Sequence, residues 1–158
     1  MQPESTPKNS LIFQYDFSID TNEEKTIRAS LHDLVRQAGY ALRKRNLGCR
    51  TVAVQLHYID GVQVTRQAIC KTVATDDWAL DRLAVTALYR GWHRRVRLRR
   101  LSLYCNCLVT PARQLSLFSL ENKKQCNKKK ISTSIDTIHE LFGTASVMRA
   151  SQLPTPET

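Results

Sequence analysis

Glycine is scarce in this chain, five in 158 residues, too few and too dispersed to build a loop that cradles phosphate. No apolar run approaches the eighteen or so residues a membrane span requires. The first residues, Met1-Gln2-Pro3-Glu4-Ser5-Thr6-Pro7, lack the apolar centre of a signal peptide. A soluble, cytoplasmic protein without a membrane partner is expected. The five cysteines, at 49, 70, 105, 107 and 126, are odd in number, which argues against a disulfide framework and for buried free thiols. Cys105-x-Cys107 offers two thiolates, but a structural zinc site takes four ligands and no second Cys or His pair stands at ligand spacing. Neither a metal nor a cofactor is expected. His32, His57, His93 and His139 accompany no nucleophile motif. The two sets Asp16, Asp20, Asp33 and Asp76, Asp77, Asp81 fit helix caps and surface charge better than a shared metal site. Trp78 and Trp92, bracketing a helix, are expected as core anchors.

What the chain has in quantity is positive charge: 24 Lys and Arg against 14 Asp and Glu, a net +10. Such a balance favours a polyanionic partner such as DNA, RNA or an acidic membrane surface, although a merely solvated basic face has the same composition. At this length one domain with tails is expected.

Residues 1–10 read as a flexible leader, and Leu11 to Phe17 as a first strand. Thr21 with Glu24 has the capping-box spacing. Ile27, Leu31, Leu34, Val35, Ala38 and Leu42 share one helical face, so a helix is expected over about 22–44. Thr51 to Tyr58 alternates as a half-buried strand, Asp60-Gly61 is hairpin-turn chemistry, and Val62 to Val73 continues as strand with blurred alternation. Asp76 and Asp77 can cap a second helix with apolar face Leu80, Leu83, Ala84, Ala87 and Leu88, stopped by Gly91. A basic strand spans Arg94 to Cys105, its phase slipping near Arg99-Arg100 as a bulge would make it. The order β-α-β-β-α-β predicts an α+β fold, a four-stranded sheet covered on one face by two helices, with the other face open to a ligand. The lysine-rich 121–130 reads as a solvated linker and 131–150 as a short helical segment, with Ile131, Ile135, Ile138 and Phe142 at helical spacing and Gly143 as cap. Residues 151–158 read as a disordered end.

Two features can carry function. The first is arginine, clustered at Arg43, Lys44, Arg45 and Arg50 and again at Arg94, Arg95, Arg97, Arg99 and Arg100; its guanidinium fork matches phosphate oxygens. Few aromatics intersperse these charges, so contact with a duplex backbone fits better than base stacking. The second is Gln114-Leu115-Ser116-Leu117-Phe118, in which Leu117 and Phe118 form an apolar anchor pair and Gln114 offers an amide for the rim of a partner's pocket. An alternating edge strand is the competing reading.

The chain resembles the little finger, or polymerase-associated, domain of the Y-family translesion DNA polymerases. The segments that carry the likeness, over about residues 11–150, are Leu42-Arg43-Lys44-Arg45, Arg50 to Tyr58, Asp60-Gly61, Val64-Thr65-Arg66-Gln67 and Val96 to Leu103. Gln114 to Phe118 matches the bacterial sliding-clamp-binding motif. Ser134-Ile135-Asp136-Thr137-Ile138 with Phe142-Gly143 resembles the tails of such polymerases. The resemblance implies a little finger domain at 11–110, a clamp-binding linker at 111–130, and an open sheet face lying along duplex DNA. It implies Arg50, Thr65, Arg66, Gln67, Arg97 and Arg99 as DNA contacts, and Gln114, Leu115, Ser116, Leu117 and Phe118 as clamp contacts. The expected function is DNA repair and lesion bypass in a nucleoid-associated setting. No segment corresponds to the family's palm, fingers and thumb with their metal-binding carboxylates, so no enzyme activity is expected of the chain. Its origin stays open: a fragment, half of a split gene with a separate catalytic polymerase chain, or an independent protein. A stand-alone regulator that competes for the clamp is a further alternative, and a basic RNA-binding module a less favoured one.

Overall fold

Long alternating segments separated by two amphipathic helices leave few ways to bury one apolar face, and the chain takes the layered one. The structure, a computed structural model, describes residues 10–111, 121–143 and 146–147. The chain divides into two compact units, 1–112 and 113–158. In the first, β1 (Leu11–Thr21), α1 (Glu24–Lys44), β2 (Gly48–Tyr58), β3 (Gln63–Ala74), α2 (Asp77–Gly91) and β4 (Leu98–Val109) follow in order. The strands form one antiparallel sheet in the order β1-β4-β2-β3. α1 lies over β1 and β4, α2 over β2 and β3.

The stripe Ile27, Leu31, Leu34, Val35, Ala38 and Leu42 is buried in full. It meets Leu80, Ala84, Ala87 and Leu88 of α2 and Val52, Val54, Leu56, Leu98, Leu101, Leu103 and Cys105 of the sheet in one core. α2 starts as expected: Asp76 is its N-cap, and the carboxylate accepts from the N–H of Ala79 at 3.1 Å. α2 ends at Gly91, where a Cβ would stand 3.1 Å from Cγ of Arg66 and 3.5 Å from Leu56. The glycine lets the helix end settle on β2 and β3. In the hairpin, Gly61 has φ +83° and Val62 N–H donates to Asp60.

Four expectations for this unit need correction. Thr21 closes β1 and does not cap α1; its hydroxyl accepts from the N–H of Glu23, the N-cap residue, 3.1 Å away. The α1 end is instead the well-formed one. Asn46 takes φ +51°, and the N–H groups of Asn46 and Leu47 return to the carbonyls of Arg43 and Leu42, which satisfies two last-turn acceptors. Arg94 to Arg97 form a loop, so β4 starts only at Leu98. Trp92 is half-buried and donates from Nε1 to Asn22, but Trp78 is 61% exposed and is no core anchor. Among the cysteines, Cys49 and Cys105 are buried, whereas Cys70 is half-buried and Cys107 exposed.

In the second unit α3 spans Glu121–Phe142, followed by Gly143 with φ +86°. The helix takes in the lysine-rich run expected as linker. Glu, Lys and Gln are good helix formers, so charge density alone did not exclude a helix there.

Candidate functional site

Register decides which side chains share the face that α1 and α2 leave uncovered. Successive strand residues point to opposite faces, and the cross-strand partners of Gln55 are Thr65 on β3 and Ser102 on β4. The uncovered face therefore carries Ile12, Gln14 and Asp16 of β1; Arg100, Ser102, Tyr104 and Asn106 of β4; Thr51, Ala53, Gln55 and His57 of β2; and Gln63, Thr65, Gln67 and Ile69 of β3. It is a face of amides and hydroxyls with a single arginine. A hydrogen-bonded chain crosses it. Tyr104 donates its hydroxyl to Oε1 of Gln55 at 2.6 Å, and Gln55 donates from Nε2 to Gln63 at 3.2 Å. Three strands are tied side chain to side chain.

The arginines stand around this face, at its ends and edges. The bulge expected near Arg99-Arg100 is present: Arg100 pairs with His57 on β2 and Asp16 on β1, whereas Leu98 pairs with Tyr58 and Thr21. Arg99 alone fills the step on β4, opposite residues 17–20 of β1. A hollow of about 580 Å³ opens there, lined among others by Asp16, Asp20, His57, Gln63, Arg99 and Arg100. Within it Arg100 grips both carboxylate oxygens of Asp16. That carboxylate raises the guanidinium pKa further above its ordinary value. Arg99 Nε lies 3.8 Å from Asp20, with its side chain 66% exposed. On the far side of the hairpin, Arg94 binds Asp60 at 2.6 Å and stacks 4.9 Å from the ring centre of Tyr58. The guanidinium holds the Asp60 carboxyl below the usual carboxylate range.

The six residues expected to touch DNA do not share one surface. Thr65 and Gln67 are exposed on the uncovered face of β3. Arg66 pairs with Val54, whose side chain is in the core, so it stands on the helix side beside Gly91; its guanidinium donates to the Thr65 carbonyl at 2.8 Å. Arg97 is exposed in the loop before β4, and its carbonyl accepts from the N–H of Ile59. Arg50 is exposed at the opposite end of β2. Arg43, from the first cluster, is drawn instead to Asp77 of α2 at 2.5 Å. Gln114, Leu115, Ser116, Leu117 and Phe118 lie outside the described residues. Among the described residues no group of three or more His, Cys, Asp or Glu is placed to hold a metal ion, and no helix is long and apolar enough to cross a membrane.

Sequence reasoning missed the Tyr104-Gln55-Gln63 chain and the partners of Arg99 and Arg100. The first follows from strand pairing, visible only once β4 is known to lie between β1 and β2. The second had a signal only in part, since Asp16 sits in Leu11 to Phe17, the segment expected as the first strand, whereas Asp20 lies beyond it.

The profile of the impB/mucB/samB family C-terminal domain matches residues 9–117. Among solved structures the fold is similar to that found in a complex of the beta-clamp processivity factor and the little finger domain of PolIV, with 18% identity and a TM-score of 0.53 over 70% of this chain and 100% of that one. It is similar to a Dbh DNA polymerase in a post-insertion binary complex, with 16% identity and a TM-score of 0.52 over 63% of this chain and 29% of that one. It is similar also to a Y-family chimera of Dbh and Dpo4, with 17% identity and a TM-score of 0.51 over 65% of this chain and 29% of that one. At such identities the likeness establishes a shared fold, and the chain corresponds to under a third of either polymerase.

Proposed function

The chain belongs to the impB/mucB/samB C-terminal domain family, and from that premise we propose that it is a DNA-binding and clamp-docking little finger module of translesion synthesis. The observation that carries this reading is the uncovered sheet face with arginines at its margins, in a fold similar to that of Y-family polymerases. In this reading Arg50, Arg97 and Arg99 take phosphate oxygens along a duplex, while Thr65 and Gln67 add neutral hydrogen bonds to the backbone. Arg66, on the helix side of β3, stands apart from this face. Charge of this kind binds without reading sequence, because phosphates are the same at every step. Gln114 to Phe118 is the peptide that docks on a sliding clamp, with Leu117 and Phe118 as anchors. The similar fold in the PolIV complex occurs beside a clamp, which supports this partner. Two modest affinities joined in one chain become a useful one through effective concentration.

Catalysis belongs, in this reading, to a palm carried elsewhere, either in a longer form of the same chain or in a separate one. The module supplies grip and recruitment. The test measures duplex binding over a salt series together with binding to a purified bacterial sliding clamp. Affinity should fall steeply with salt, and Arg97→Ala with Arg99→Ala should flatten the log–log slope by about 2, one phosphate contact each. Leu117→Ala with Phe118→Ala should abolish clamp binding and leave duplex binding intact. Salt-independent binding sinks the DNA half of the proposal; clamp binding by the Leu117, Phe118 variant sinks the other half.

A further inference from the structure

Two arginines of this surface already hold anions, and both anions come from β1. Residues 17–20 of β1 face the single residue Arg99 of β4, so β1 swings away from its partner between Asp16 and Thr21 and the hollow opens in the gap. Phe17 of this stretch turns into the core and is only 9% exposed, its ring 5.1 Å from that of Tyr15. Asp16 and Asp20 line the hollow too, with Phe17 and Ser18 between them. Arg100 engages Asp16 through Nε to one oxygen and a terminal nitrogen to the other, the two-pronged geometry that a guanidinium also makes with two phosphate oxygens. Asp20 sits by Nε of Arg99. His57 and Gln63 complete the wall with groups able to hydrogen-bond an oxyanion.

We propose that this hollow is a phosphodiester site of the duplex and that Asp16 and Asp20 are built-in phosphate substitutes, which the DNA backbone must displace to gain Arg100 and Arg99. The inference rests on the DNA-binding reading and adds its regulation. Exposed ion pairs are weak and screened, so the carboxylates do not hold the arginines firmly. A duplex presents a charge about every 1.7 Å and releases counterions when neutralised, so it wins the exchange at low salt. A lone anion has no such advantage. The carboxylates therefore filter for dense, regular arrays of phosphate, and they lower the affinity for isolated phosphates and for short single strands.

The test compares the natural chain with Asp16→Asn, Asp20→Asn on a blunt duplex of mixed sequence, over a salt series. A matched control, Glu23→Gln, Asp33→Asn, removes the same charge from α1 and its N-cap. The hollow variant should bind the duplex about five- to tenfold more tightly at low salt, with a slope steeper by about 1 to 2, and the control should change affinity by less than about twofold. It should also bind a short single-stranded oligonucleotide that the natural chain discriminates against. Equal gains in both variants reduce the effect to net charge and overturn the proposal. An unchanged hollow variant beside a natural chain that binds duplex overturns it while leaving the DNA-binding reading in place. If no protein binds duplex even at low salt, both fall together.

Discussion

A Cβ on Gly39 would stand 1.9 Å from Oδ1 of Asp77 and 3.1 Å from a terminal nitrogen of Arg43. The glycine is thus the gap through which α2's first turn reaches α1, and the Arg43–Asp77 ion pair occupies it. Gly39→Ala should cost roughly 1–3 kcal/mol in urea unfolding, the range for overpacking. In an Asp77→Ala background the same substitution should cost little, since the colliding atom is gone; an equal cost in both backgrounds would show that the collision is not the cause. Asp60 offers a second case, governed by charge. Arg94 first, and then the N–H of Val62, depress its carboxyl pKa, so the folded state gains stability from the ionised form above the ordinary value of about 3.9 and loses it as pH falls through the depressed value. Asp60→Asn should therefore be less stable than the natural chain at pH 7, and the two should converge as pH falls through the depressed value. A gap that persists undiminished there would point to lost packing.

Among the elements, β4 is an inner strand: it lies between β1 and β2 under α1. Its Leu101 is fully buried, so Leu101→Ala should cost about 2–5 kcal/mol, against about 1 kcal/mol for loss of the α2 cap in Asp76→Ala. Comparable losses in unfolding experiments would mean that the core at Leu101 collapses around the missing atoms. α1 was legible from the sequence because its stripe keeps one period for over four turns and all of it is buried. The β3 pattern was not, and the structure gives the reason. β3 is an edge strand whose residues 70–73 stand opposite Arg50 alone in an irregular register, so neither face is fully buried and alternation has little to report. The false start at Thr21 has a similar origin, because a hydroxyl that caps a turn two residues on uses the same residue type as one that caps a helix.

For the molecule as a whole, the strand and helix order read from the sequence was enough to place an uncovered sheet face opposite two helices. The residues on that face were not legible in the same way. Arginine content suggested a basic surface, but strand order and a bulge put Arg97 and Arg99 at its end, Arg66 on the opposite side, and left a neutral face tied by Tyr104, Gln55 and Gln63. Which strands become neighbours depends on contacts between distant segments, and no local pattern encodes them. That same strand order also orders events in time. Among the described residues β1 pairs only with β4, at the other end of the domain's sequence. At about 5–20 residues per second, translation of the intervening chain takes about 4 to 15 seconds. During that interval Leu11, Phe13 and Phe17 have no sheet to join, and a chaperone that holds short apolar strands has its longest opportunity there. The first strand of the domain to leave the ribosome is the last to find its place.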